Sequence, residues 1–212
     1  QTGSFYTPRE IVQYMVDESL VTHLKRTVGN ELESEYRKLL DYADNEILLT
    51  EQQKLAIMQS LYNCKILDPA CGSGAFPVGV LQQMVHILKQ IDPDNSRWKN
   101  MLLQFAIDET SEAYLNSTAE ERREAVADIE RAFDENVNYP DYARKLHLIE
   151  NCIYGVDIQP IAIQISKLRF FISLVIDQKR NNNPADNFGI RPLPNLEAKF
   201  VAANSLLGLK RT

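Results

Sequence analysis

The chain has 212 residues, 44% hydrophobic and 25% charged, which excludes a disordered or fibrous protein and indicates a globular one. Its net charge of −6 is the opposite of the basic surface that dedicated duplex-binding domains carry. No apolar segment is long enough to cross a bilayer and no signal-peptide pattern is present, so we expect a cytoplasmic protein without membrane contact. The three cysteines lack metal-ligand spacing and suit a reducing compartment.

The first 62 residues predict an N-terminal helical part. In "TPREIV", Thr7 is a good N-cap, Pro8 suits the first helical position and Glu10 completes a capping box. The stretch "TEQQKLAIMQSLYN" has the same kind of start, with a Thr-x-x-Gln capping box.

Residues 63–90 and 151–212 alternate between strand and helix patterns. "CKILD" predicts a strand, "PACGSG" a loop, and the following residues a helix from about Ala75 to Gln90. "NCIYGVD" predicts a second strand, "PIAIQISKLRFFISLVID" a helix so apolar that we expect it to be buried, and "AKFVAANSLL" a third strand. This order predicts an α/β fold with a parallel, doubly wound sheet. Residues 91–150 predict a helical insertion, in which Ser117 and Glu120 can cap a charged helix.

Polar residues follow each predicted strand. Ligands of doubly wound sheets bind beyond the carboxyl ends of the strands, where Asp68, Asp157 and Asn204 all fall. The loop after the first strand has Gly72 and Gly74. It lacks the third glycine of a dinucleotide site and the Gly-Lys-Ser/Thr of a phosphate-binding P-loop.

The carboxylate of Asp68 would repel a pyrophosphate and attract a cation. A ligand with an ammonium group and an adenosine suits this loop, and S-adenosylmethionine is such a ligand. Asp157 is placed to accept hydrogen bonds from both ribose hydroxyls, Ile158 to pack on the adenine face, and Asn204 to meet its polar edge. Taken singly, either aspartate fits a helix-capping or ion-paired structural role, and the two glycines fit a tight turn.

Four segments resemble successive motifs of the N6-adenine DNA methyltransferases of type IIG restriction–modification systems: "TGSFYTPREIV", "LDPACGSGAFPVGVL", "YGVDIQPIAIQISKLR" and "NSLL". The resemblance implies a Rossmann-like S-adenosylmethionine-dependent methyltransferase fold, of which residues 1–212 are a part. It implies that Thr7 and Pro8 enclose the methionine end of the cofactor and that Asp157 and Ile158 hold the adenosine. The cofactor-binding residues that it implies are Thr7, Pro8, Asp68, Pro69, Ala70, Cys71, Gly72, Ser73, Gly74, Phe76, Asp157, Ile158 and Asn204.

The sequence departs from this family in two ways. The insertion at 91–150 separates the glycine loop from the ribose-binding acid, which lie roughly twenty residues apart in simpler doubly wound proteins. The catalytic Asn-Pro-Pro-Tyr/Phe motif, whose aromatic residue stacks on a flipped base, is absent, and "NYPDY" at 138–142 is a poor imitation of it. We therefore assign no catalytic residue and no metal ligand to the chain.

These departures limit what we expect of the chain alone. We expect it to bind duplex DNA weakly or not at all, because the resembled enzymes bind DNA mainly through a target-recognition region outside it. Magnesium would serve only a nuclease part outside the chain. Two alternatives remain: part of a methyltransferase that acts on protein glutamine side chains, or a non-catalytic interaction module that keeps the fold.

Overall fold

The structure is a computed structural model that describes residues 7–108, 117–192 and 194–207. Within these ranges the helices are α1 (Arg9–Thr27), α2 (Glu33–Leu40), α3 (Glu51–Asn63), α4 (Ala75–Ile91), α5 (Ser96–Ile107), α6 (Ala119–Ala132), α7 (Asp141–Asn151) and α8 (Pro160–Val175). The strands are β1 (Ile66–Asp68), β2 (Ile153–Asp157) and β3 (Phe200–Ala202), and two short 3₁₀ segments cover Asn30–Leu32 and Pro184–Gly189. No helix in the described ranges is long and apolar enough to cross a membrane.

The starts of the helices test the capping predictions. The Thr50–Gln53 capping box at the start of α3 is confirmed. The prediction for Thr7 is wrong, because the carbonyl of Pro8 accepts the N–H groups of Ile11 and Val12 and the helix begins one residue later. The prediction for α6 is shifted by one residue: Thr118 and Glu121 form its capping box.

The three strands form a parallel sheet in the order β1-β2-β3. One face of the sheet is buried: Ile153 and Phe200 lie on it, and the Phe200 ring packs against Phe170 of α8 at a centroid distance of 4.8 Å. On the other face, Leu67 is 60% exposed and Val201 is 41% exposed. The described helices therefore cover one face.

This one-sided arrangement follows from the order of the strands. Crossovers of one hand that step in a single direction across a sheet place their helices on the same face, and α4 and α8 are in contact with each other. Helices reach the second face only where the strand order reverses, and the order of the described strands does not reverse. The fold is mixed α/β with a small parallel sheet, and the doubly wound arrangement stays a prediction.

Helix α8 is less buried than its sequence indicates. Ile163, Phe170 and Leu174 face the core, but apolar side chains repeat along the opposite side and are 42–66% exposed. These exposed residues are Ile161, Ile165, Leu168 and Ile172. The prediction of a helix buried on all sides is thus wrong for one face.

The predicted insertion, residues 91–150, is helical where it is described and is anchored to the far end of α4; residues 109–116 lie outside the described ranges. Arg144 of α7 is 1% exposed, donates to the carbonyl oxygen of Asp92 (2.6 Å) and pairs with Asp141 (2.8 Å). Lys89 of α4 also pairs with Asp141, at 2.6 Å. The buried guanidinium also donates to the carbonyl oxygen of Pro93 (3.3 Å), and these hydrogen bonds fix α7 against the end of α4. Helix α7 then leads directly into β2.

Candidate functional site

The carboxyl ends of the three strands bring the predicted polar residues to one edge of the sheet. Asp68 is the last residue of β1 and Asp157 is the last residue of β2. Asn204 follows β3 by two residues, and the neighbouring Ala203 N–H donates to the carbonyl oxygen of Asp157 (2.9 Å). The structure thus places all three strand-end residues together.

The carboxylate of Asp157 is bonded directly to the glycine loop. Its Oδ2 accepts the backbone N–H of Gly72 at 2.9 Å, across 85 positions of sequence, and its Oδ1 accepts the N–H of Gln159 at 2.8 Å. Each carboxylate oxygen has two lone pairs, so each retains one for a further donor. Asp157 is therefore both a support for the loop and an oriented acceptor.

The carboxyl group of Asp68 lies in an unfavourable place for its charge. Burial raises its pKa above the ordinary value, the negative charge of Asp157 raises it further, and the N–H of Ala70 lowers it in part by donating to Oδ1 (3.1 Å). Among the described residues, neither Asp68 nor Asp157 pairs with a basic side chain. Two neighbouring acids without a described cation form a place that a cationic group would stabilise.

The glycine loop (residues 69–74) depends on two glycines in the left-handed region. Gly72 has φ +54° and Gly74 has φ +84°, conformations that other residues adopt rarely. A Cβ at Gly74 would meet the Ser166 Oγ at 2.8 Å, whereas a Cβ at Gly72 would meet nothing within 4 Å. Gly74 lets the loop pack closely on α8, while Gly72 faces open space.

Three side chains that the sequence did not single out hold the loop carbonyls. Ser166 Oγ donates to the carbonyl oxygen of Gly72 (3.0 Å), and Arg169 Nη1 donates to that of Ser73 (3.2 Å). Ser205 Oγ donates to the carbonyl oxygen of Pro69 at 2.8 Å. One sequence feature indicates a shared role for Ser166 and Arg169: they lie three positions apart in a largely apolar helix, and residues at this spacing share a helix face.

The remaining predicted residues differ in their surroundings. Ile158 is 65% exposed beside Asp157, so its side chain is open to a flat ligand. Asn204 is exposed, and its Oδ1 accepts the N–H of Leu206 (3.0 Å), which gives it a turn-stabilising role in the free protein. Phe76 is half-buried against the hydrophobic core. Cys71 is buried, and burial raises the pKa of its thiol to about 11.

Thr7 and Pro8 lie at the start of α1 and are exposed. Helix α1 runs parallel to α4: Val12 and Val16 approach Gly79 near the start of α4, and Asp17 accepts a hydrogen bond from Gln83 one turn later. This packing directs the start of α1 towards the end of α4 that carries the glycine loop. The residues before Thr7 in the same motif lie outside the described ranges.

The "NYPDY" segment has a structural role at the opposite end. The Asn138 amide donates to the carbonyl oxygens of Arg131 and Ala132, and Tyr142 is buried. Asn138 also bridges to Gln178, beyond the last turn of α8, whereas Asp157 precedes the first turn. A 16-residue helix is about 24 Å long, so this segment lies far from the glycine loop.

A cavity of about 910 Å³ also lies away from the predicted residues, between α6, α7, residues 185–192 and Pro194, and none of the predicted cofactor residues lines it. The His147 ring on its wall stacks on Tyr62 at 4.4 Å, and burial lowers the pKa of His147 to about 4. Among the described residues, no group of His, Cys, Asp and Glu side chains has the arrangement of a metal site.

Comparison with known proteins finds one similarity to report. Over 218 aligned positions, 97% of this chain is 27% identical to a Methanocaldococcus jannaschii protein named "Putative type II restriction enzyme and methyltransferase". The chain spans only 14% of that relative's length. No family model matches the chain, and no solved structure matches it. The chain is thus similar, over nearly its whole length, to a part of a restriction–modification methyltransferase.

Proposed function

We propose that this chain is the S-adenosylmethionine-binding portion of a DNA adenine-N6 methyltransferase, from a type IIG restriction–modification protein or a related phage-defence protein. The observation that carries the proposal is the convergence of Asp68, Asp157 and the glycine loop at one edge of a parallel sheet. The similarity to a restriction–modification methyltransferase supports the same reading. DNA would be the substrate of the whole protein.

The residues present fit this cofactor in charge and in shape. S-adenosylmethionine carries an ammonium group and two ribose hydroxyls, and the site offers two carboxylates that lack a described basic partner. Gly72 leaves open space above the loop, where a ligand would otherwise meet a side chain. The fit requires no metal ion.

The bound cofactor would supply the methyl group that is transferred. Asp157 would accept the ribose hydroxyls with the lone pairs that its backbone donors leave, and the ionised Asp68 would stabilise the ammonium group. Ile158 would cover the adenine face. These residues position a ligand and form no covalent bond with it, so their contribution to a methyl transfer would be orientation.

The first prediction concerns Asp157. We expect Asp157→Ala to weaken S-adenosylmethionine binding roughly 10- to 100-fold, because charge-assisted hydrogen bonds are lost. Asp157→Asn, which keeps one oxygen acceptor, should lose less. Calorimetric titration of the folded proteins measures both.

The matched control is Asp134→Ala. Asp134 Oδ1 also accepts a local backbone N–H, that of Asn136 at 2.9 Å, but it lies in the α6–α7 connection. The affinity of the Asp134→Ala variant for the cofactor should equal that of the unmodified protein. Unchanged affinity in a folded Asp157→Ala variant would remove the central residue of the proposal, and no heat from the unmodified protein would favour a non-catalytic module.

A further inference from the structure

The glycine loop, residues 69–74, is packed at Cys71 and Gly74 but not at Gly72. A Cβ at Gly72 would meet no atom within 4 Å, and both loop glycines have positive φ. Glycine has more conformational freedom to lose than any other residue, so ordering such a loop is costly. Hydrogen bonds must therefore provide much of the order at Gly72.

Two of these bonds come from one face of α8. Ser166 is fully buried and donates to the carbonyl oxygen of Gly72 at 3.0 Å. Arg169, one turn later, donates to the carbonyl oxygen of Ser73 at 3.2 Å. Both partners lie more than ninety positions away in sequence. The carbonyl groups of Gly72 and Ser73 are thus turned towards α8, while the Gly72 N–H is directed at Asp157.

The buried hydroxyl of Ser166 has a defined task. A buried hydroxyl without a partner is destabilising, and an alanine would fit the same space without that risk. The Gly74 backbone also packs directly on Ser166: a Cβ at Gly74 would come within 3.1 Å of the Ser166 Cβ. Ser166 therefore contacts the loop at both glycines, by a hydrogen bond at one and by close packing at the other.

We propose that Ser166 and Arg169 are positioning residues that hold the glycine loop in its ligand-binding geometry and orient the Gly72 N–H towards Asp157. This inference rests on the proposed function for the identity of the ligand. The two hydrogen bonds from Ser166 and Arg169 to the loop carbonyls, here called the tether, can be measured without any ligand. The prediction is that Ser166→Ala loosens residues 69–74 selectively and weakens S-adenosylmethionine binding roughly fivefold, the effect of one ordinary hydrogen bond.

The chain provides matched controls on the same helix. Ser173 Oγ donates to the Phe170 carbonyl oxygen within α8 (2.7 Å), so Ser173→Ala removes a hydroxyl without touching the loop. Lys167 pairs with Glu197 and does not hold the loop, so Lys167→Ala is the control for Arg169→Ala. Because Arg169 is exposed, its variant tests the tether even if Ser166→Ala does not fold.

Hydrogen exchange of the ligand-free proteins measures the tether. The informative amides are those of Gly72, bonded to Asp157, and Gly74, bonded to the Cys71 carbonyl oxygen (2.8 Å). In Ser166→Ala and Arg169→Ala these amides should exchange several-fold faster, while amides in the middle of α4 keep their rates. Unchanged exchange at Gly72 and Gly74, or equal acceleration in Ser173→Ala and throughout α4, would overturn the tether.

Calorimetric titration with S-adenosylmethionine then tests its consequence. Ser166→Ala should raise the dissociation constant roughly fivefold, and the two control variants should leave it unchanged. Faster loop exchange without a change in affinity would overturn the positioning role. If the unmodified protein does not bind the cofactor, the proposed function fails, and the exchange rates still decide whether the tether exists.

Discussion

At the residue scale, the charge of Asp68 opposes stability in the free protein and favours the proposed ligand. Its pKa is raised by burial first and by Asp157 second, so the folded state binds a proton at this group more readily than the unfolded state. The protonated Asp68 therefore stabilises the folded state. This contribution is complete below the ordinary carboxyl pKa of 3.8 and is lost as the pH rises through the raised pKa. At neutral pH the ionised group destabilises the fold.

We therefore expect Asp68→Asn to raise the unfolding temperature at pH 7 and to weaken S-adenosylmethionine binding. The asparagine oxygen can still accept the Ala70 N–H, so the local turn is preserved. In the unmodified protein, cofactor affinity should increase as the pH rises through the Asp68 pKa, because only the ionised form attracts the ammonium group. Thermal unfolding and calorimetry over a pH series measure both effects; a less stable variant at pH 7 would contradict the argument.

Individual residues of the site differ in how far the sequence predicts them. The prediction that Asp68 and Asp157 share one edge needed only strand ends, because parallel strands end together. The roles of Ser166 and Arg169 depend on how α8 crosses behind the loop, which no local pattern specifies. A ligand contact at Asn204 stays a prediction. The hydrogen bond from the Leu206 N–H to its Oδ1 forms a local turn, which the sequence does not predict.

At the element scale, the strands and main helices follow the predicted order, while the burial of α8 does not follow its composition. Periodicity indicates which residues are apolar, but the cover for each face comes from other elements. Helix α8 packs on the sheet through one face, and the side with Ile165 and Leu168 has no cover in the described ranges. Composition alone therefore overestimated its burial.

The two faces of α8 allow a matched stability test. Leu174 is 2% exposed and Leu168 is 53% exposed, so the same substitution samples a core site and an open one. Leu174→Ala should lower the free energy of unfolding by about 2–4 kcal/mol, because it removes buried methyl groups and leaves a cavity. Leu168→Ala should cost less than about 1 kcal/mol. Denaturant unfolding of both variants measures the difference, and equal costs would mean that the exposed stripe is covered in solution.

At the scale of the whole molecule, charge sets the expected affinity for DNA. The chain carries 23 basic against 29 acidic residues, and phosphate contacts dominate the affinity of proteins for duplexes. Many of the basic side chains already pair with acids, among them Lys99 with Glu130 and Lys145 with Asp177, each at 2.6 Å. A phosphate would have to compete with these carboxylates for each contact.

We therefore expect only weak, non-specific duplex binding by this chain, with a dissociation constant no lower than about 10⁻⁴ M at physiological salt. Fluorescence anisotropy with several unrelated duplexes over a salt series measures it, and the affinity should be similar for all of them. A shallow dependence on salt is the second expectation, because few counterions are released when few phosphates are contacted. Micromolar binding that differs between duplexes would show that recognition of DNA resides within these 212 residues. A steep salt dependence would reveal a cluster of basic side chains that are free to bind phosphates.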